Sequence, residues 1–266
     1  MDEKKILKIK NAVKRNFEQS PDKYSEFENK YGFFYSLNAV LLDRLKIHSN
    51  ARVLDIGCGT GASSIQILET IPGAMVWGLD NSPSMLDVAR SNNPDPSRLK
   101  FIEGDAGDLT SCVDELMDAI IYSASIFLIP DYEASLSQGW KLLEPGGELG
   151  LTFMMGVYGA TDENAFASAD RNAQTNVSSR KPVEFDSLAL FVQNLFGSIN
   201  VETINFLYDL DLLKQFFSIP AMSAGLYPAL DYQERLKMLD KLFSHLSCDK
   251  LSFRWNLITA VKQETS

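Results

Sequence analysis

The chain is short of histidine, cysteine and positive charge, and each shortage excludes something. It has two histidines in 266 residues. His48 falls before the first strand-like run and His245 near the end of a late helix, so neither suggests a general base. Three cysteines, an odd number set far apart, make neither a disulfide framework nor zinc-ligand spacing, and no metal site is expected. Cys112 and Cys248 read as small apolar fillers. Lys and Arg number 25 against 35 Asp and Glu, for a net charge of −10. Phosphate binding favours a basic surface, so nucleic acid is not expected as a partner. The longest apolar stretch, around Ala119 to Ile129, is broken by Tyr122, Ser123 and Ser125. It falls far short of the ~18–20 residues of a membrane span. The N-terminus is charged and lacks an apolar run, so no secretory leader is expected. A reducing cytoplasm is the expected compartment.

What is abundant is core-forming sequence: 45% of the residues are hydrophobic, enough for one domain with sizeable insertions. Val53-Leu54-Asp55-Ile56-Gly57-Cys58-Gly59-Thr60-Gly61 reads as a buried strand ending in an acid and a glycine-rich turn. Helical spacing follows from Gly61 to Thr70. Alternating glycines let backbone approach a ligand closely, and the helix start behind them offers free N–H groups. This loop is G-x-G-x-G and not the dinucleotide G-x-G-x-x-G. A second apolar run, Ala74 to Leu79, ends in Asp80-Asn81. An acid there can accept from both ribose hydroxyls, whichever nucleoside is bound. Ser82-Pro83 is a helix start, with Ser82 as N-cap. A third run, Leu99 to Glu103, leads into Gly104-Asp105-Ala106, and a fourth, Asp118 to Ser123, follows.

Asp55, Gly57, Gly59 and Gly61, then Asp80, Ser82 with Met85-Leu86, Gly104-Asp105-Ala106 and the Leu143 to Gly147 turn stand in the order of one family. The sequence resembles the class I S-adenosylmethionine-dependent methyltransferases over about residues 51 to 155, in the type of domain that acts on small molecules. The resemblance implies an α/β fold: a doubly wound, seven-stranded, mostly parallel sheet with a helical cap and the last strand inserted antiparallel between the fifth and sixth. It implies S-adenosyl-L-methionine as cofactor. The glycine loop and Asp55 would bind it, Asp80 and Asn81 would hold the ribose, and Asp105 and Ala106 would read the adenine. Ser123 would lie near the sulfonium, and Tyr24 would reach the methionine end. Met85 would pack on the adenine, although burial against the sheet explains it equally.

The domain division expected is a helical lid over residues 1–50, a cofactor core over 51–155, and cap insertions with the closing strands over 156–266. Residues 3 to 17 carry Ile6, Ile9, Val13 and Phe17 as one stripe among lysines, which suits a lid helix or a membrane-surface helix. Six aromatics between Tyr24 and Tyr35 exceed one buried helix face, and some are expected in an acceptor pocket. Phe216, Phe217, Met222 and Tyr227 suit either core or a cover over an apolar acceptor. The polar segment from Gly156 to about Asp186 suits a mobile cover, with Arg171, Arg180 and Lys181 as its cations. No catalytic residue is identified: relatives carry a His after the fourth strand where this chain has Ile126-Phe127, and the N-P-P-Y signature of base-amine methylation is missing. The expected activity is methyl transfer to O or C of a small, partly apolar acceptor. A non-catalytic binder of the cofactor and aminopropyl transfer are the alternatives.

Overall fold

A computed structural model describes residues 1–178, 182–246 and 248–263. Among them seven strands form one sheet: β1 Arg52–Ile56, β2 Met75–Asp80, β3 Leu99–Glu103, β4 Met117–Tyr122, β5 Leu143–Tyr158, β6 Asn200–Asp209 and β7 Lys250–Val261. Their order is β3-β2-β1-β4-β5-β7-β6. β1 to β5 pair in parallel, and β7 runs antiparallel to both β5 and β6. The last strand is thus inserted where the family resemblance implied. Strand order reverses between β1 and β4, which makes the carboxyl ends of those strands the switch point where open α/β sheets bind ligands.

The central strands are apolar on both faces because helices cover both. Leu54, Ile56 and Ile120 pack toward α6 (Tyr132–Leu142) and α8 (Phe185–Phe196). Their neighbours Val53, Val76 and Ile121 point the other way, onto α3 (Phe33–Leu42) and α4 (Ala62–Thr70). Strand alternation makes that split. Between β2 and β3 lies α5 (Pro83–Ser91), whose N-cap Ser82 accepts from the Met85 amide as expected.

A third, aromatic cluster joins α2 (Pro21–Tyr31), α7 (Ala165–Ala173), α9 (Leu210–Ser218) and α11 (Tyr232–Phe243) to β7, through Phe27, Phe33, Phe166, Phe216, Phe217 and Trp255. α1 (Glu3–Glu18) and α10 (Pro220–Leu226) complete the helices.

Two readings change. β5 runs to Tyr158, past the expected close of the core at residue 155, because β7 pairs with it as far as Tyr158–Ser252. The segment after it is not all loose cover. Asn164 caps α7, accepting from the Ala167 amide at 2.9 Å, and Phe166 is buried against Phe217 and Phe243. Arg171 pairs with Glu163 at the surface, while Arg180 and Lys181 lie outside the described residues.

Among the described residues, no helix is long and apolar enough to cross a membrane. α1 has no fully buried residue; its apolar stripe is half covered because it roofs a cavity.

Candidate active site

Backbone chemistry builds the floor of that cavity. Gly57 and Gly61 have φ of +75° and +87°, a region that favours glycine. A Cβ on Gly57 would lie 2.4 Å from Ser125 Cβ, and one on Gly61 2.8 Å from Phe101 Cζ. The loop therefore needs glycine for its turn and for its neighbours. Gly57 and Gly59 line the cavity, together with Asp80, Asn81, Asp105, Ala106 and Ser123. Those residues sit at the carboxyl ends of β1, β2, β3 and β4, so four separate strand ends converge on one space. Its empty volume is about 870 Å³, open mouth included.

Asp80 fastens two of those ends together. Its Oδ2 accepts from the Gly59 amide and its Oδ1 from the Ser82 amide, each at 2.9 Å. Burial raises its pKa, and the backbone N–H groups pull it back. Each oxygen keeps a lone pair for a ligand.

Asp55 sits behind the loop, 0% exposed. Its Oδ2 accepts from the Ser63 and Ser64 hydroxyls at 2.6 Å, while Oδ1 is buried without a partner. Burial pushes its pKa to about 6, against the two serine hydrogen bonds. Asp55 and Gly61 are not on the cavity wall, nor is Met85. The methionine is fully buried, with its Cε 3.3 Å from where a Gly59 Cβ would be, so it supports the loop from beneath.

At the far end, Asp105 is already engaged. Lys10 of α1 donates to its Oδ1 and Oδ2 at 2.7 and 2.8 Å, and reaches Asp131 at 2.5 Å. The sequence reading passed over Lys10. The signal was its place on the apolar stripe, three residues before Val13 and seven before Phe17, which also line the cavity. Lys14 near Glu103 at 3.6 Å and Glu18 accepting from the Ser82 hydroxyl at 2.7 Å continue the polar seam. Core burial therefore contributes little to holding α1, and ion pairs hold it instead.

The opposite wall is apolar. Tyr24 stacks on Phe34 with ring centroids 4.7 Å apart, and both face the cavity beside Phe127, Phe216, Met222 and Trp255. The expected acceptor aromatics thus divide: Phe27 and Phe33 are core, Phe217 packs on Phe166, and the Tyr227 hydroxyl is held by Thr175. Trp255 read in the sequence only as one alternating residue of the last strand; its register opposite Met154 of β5 brings it to the cavity.

The Tyr24 hydroxyl has its pKa pushed well up, first by burial and then by Glu28, Asp80 and Asp55. It stays a proton donor. The chain re-aims after β4 at Ala124, whose φ of +55° is strained for a residue with a Cβ. Its amide donates to Thr152 Oγ1 at 2.7 Å, which holds the turn. His48 and His245 are exposed on the surface, off the cavity wall.

Residues 47–180 match the family model described as a methyltransferase domain. The chain belongs to this methyltransferase-domain family. Among curated relatives, it is 33% identical over 132 residues to trans-aconitate 2-methyltransferase of Deinococcus radiodurans, covering 49% of this chain and 47% of that protein. It is 37% identical over 103 residues to demethylmenaquinone methyltransferase of the same organism, covering 38% and 42%. The matched part of the chain thus spans about half the length of these relatives. Among solved structures, the YcgJ protein from Bacillus subtilis superposes with a TM-score of 0.62 at 16% identity, over 87% of this chain and all of that one. That likeness shows the fold.

Proposed function

We propose that this chain transfers a methyl group from S-adenosyl-L-methionine to a small, largely apolar acceptor. One observation carries the reading: a single cavity has the polar ends of β1 to β4 on one wall and aromatic side chains without charge on the other. The residues fit the cofactor. Gly57 and Gly59 leave room for it, Asp80 retains lone pairs for ribose hydroxyls, and Asp105 with Ala106 would read the adenine edge. The unpartnered Asp55 Oδ1 adds negative potential behind the loop, which complements a positively charged ligand.

When bound, the cofactor supplies a methyl on a cationic sulfur that departs as a neutral thioether. The chain's part is to hold and to dry. Tyr24, Phe127 and Trp255 exclude water, and in-line approach in such a pocket supplies much of the acceleration. Tyr24 cannot serve as base because its proton is held too tightly. Asp80 is engaged by two amides and Asp105 by Lys10, so neither carboxylate stands as a free base.

Calorimetry with S-adenosylhomocysteine tests the reading, with NAD as control. Micromolar or tighter binding of the first, and not the second, is expected. Absence of heat and of a thermal shift would refute it.

A further inference from the structure

The sheet has two edges, and they differ in chemistry. β3 is five residues long and carries Lys100, a short and charged edge of the kind that resists further pairing. β6 is ten residues long and holds neither lysine nor proline. It pairs with β7 in one unbroken register from Asn200 to Asp209, so no bulge turns the edge aside. In an antiparallel ladder alternate residues turn their N–H and C=O groups away from the partner strand. Among the described residues no strand lies beyond β6 to meet them.

The side chains of β6 sort by what they touch. On the α3 face, Glu202 pairs with Arg44 at 2.7 Å, Ile204 packs against the cluster of α3 and α4, and Phe206 and Tyr208 stack with centroids 5.9 Å apart. On the opposite face, the Thr203 hydroxyl donates to Asn256 at 2.8 Å, and Asn205 accepts from Ser252 and Arg254. That face also holds Val201 and Leu207, which remain 45% and 65% exposed. They stand at equal distances either side of Ile204. A two-fold axis through Ile204 therefore sets Val201 of one copy against Leu207 of the other, and does so twice. No other antiparallel register pairs them. In this one Glu202 lies opposite Phe206, and no acid of the strand faces an acid.

We propose that β6 is a self-pairing edge: two copies of this chain join antiparallel about Ile204 and extend one sheet through both. A contact about a two-fold axis uses the same patch on each copy, and this strand is complementary to itself in backbone, in apolar side chains and in charge. A strand edge with two apolar pairs lies at the small end of specific interfaces, so monomer and dimer exchange with concentration. β6 contributes no residue to the cavity wall, so pairing and cofactor binding are independent.

Sedimentation equilibrium of the whole chain tests this. The apparent mass should rise from 29.7 kDa toward twice that value over roughly a hundred-fold rise in concentration. Val201→Lys and Leu207→Glu each set a charge against an apolar partner twice per dimer, and each should weaken association by about ten-fold or more. Both sites are exposed, so the thermal midpoint should not move. Mixed one to one, the two variants should recover a heterodimer, because the new cation then meets the new anion. Monomer mass at every concentration overturns the proposal and leaves the edge to a different chain or to solvent. A dimer that either substitution leaves unweakened is held by another surface and overturns it too, as does a mixture that stays monomeric.

Discussion

Replacing Asp55 with asparagine removes a charge that the fold holds in an unfavourable place. The carboxyl is fully buried and its pKa is raised by that burial to about 6, against ~3.9 in an unfolded chain. The sign follows. Between those two values the folded state binds more protons than the unfolded state, so stability falls as pH rises through the window and stays lower above it. At 1.36 kcal/mol per pKa unit the whole window is worth about 3 kcal/mol, with roughly half of it lost between pH 5 and pH 8. Asparagine has the shape of the neutral carboxyl and keeps an oxygen for Ser63 and Ser64. Urea unfolding of both proteins at pH 5, 6, 7 and 8 isolates the term, since all other groups titrate in common. Asp55→Asn should gain on the wild type by about 1–2 kcal/mol across this range. The same variant should bind S-adenosylmethionine more weakly, because a cation loses a partly compensated anion behind the loop. Parallel stability curves would refute the reasoning. They would mean that the carboxyl is solvated or shares its charge with a donor.

Asp80→Ala strips the partner from two backbone amides as well as from a ligand, so stability should fall by about 1–3 kcal/mol per orphaned N–H and cofactor affinity by roughly ten- to a thousand-fold, read by chemical unfolding and calorimetry. Lys10→Met should barely change global stability, by under about 1 kcal/mol for a part-exposed pair, yet should expose α1 to protease, and raised salt should do the same to the wild type; equal cleavage of both proteins would show that α1 is held by packing. The same digest should spare Ser20, which is 0% exposed and accepts from the Ala221 amide at 3.0 Å, so cleavage at 20–23 before α1 frees would count against the seam. Ala124→Gly should keep or raise the melting temperature, since it relieves a positive φ worth ~1 kcal/mol; a drop of several degrees would show that the methyl packs.

The fold was legible because its signals are local. The apolar runs of β1 to β4, the acids at the ends of β1, β2 and β3 and the glycine turn after Asp55 each follow from a few neighbouring residues. Backbone geometry restricts what such runs can do, while the order of strands in the sheet came only from the family the motifs resemble. Of the residues the resemblance assigned to the cofactor, Gly57, Gly59, Asp80, Asn81, Asp105, Ala106, Ser123 and Tyr24 line one cavity, while Asp55, Gly61 and Met85 do not.

What tertiary structure decided were the pairings between residues far apart in the chain. Lys10 meets Asp105 across 95 positions, and Trp255 lines the cavity through its register in β7, opposite Met154 of β5. Whether Met85 touches a ligand or props a glycine depends on which side of the loop the helix rests. Two aromatics side by side in sequence, Phe33 and Phe34, both enter one buried cluster, but only Phe34 also reaches the cavity wall. Sequence spacing shows that an element has an apolar face, but what that face meets depends on the packing of every other element against it, and that is a property of the whole chain.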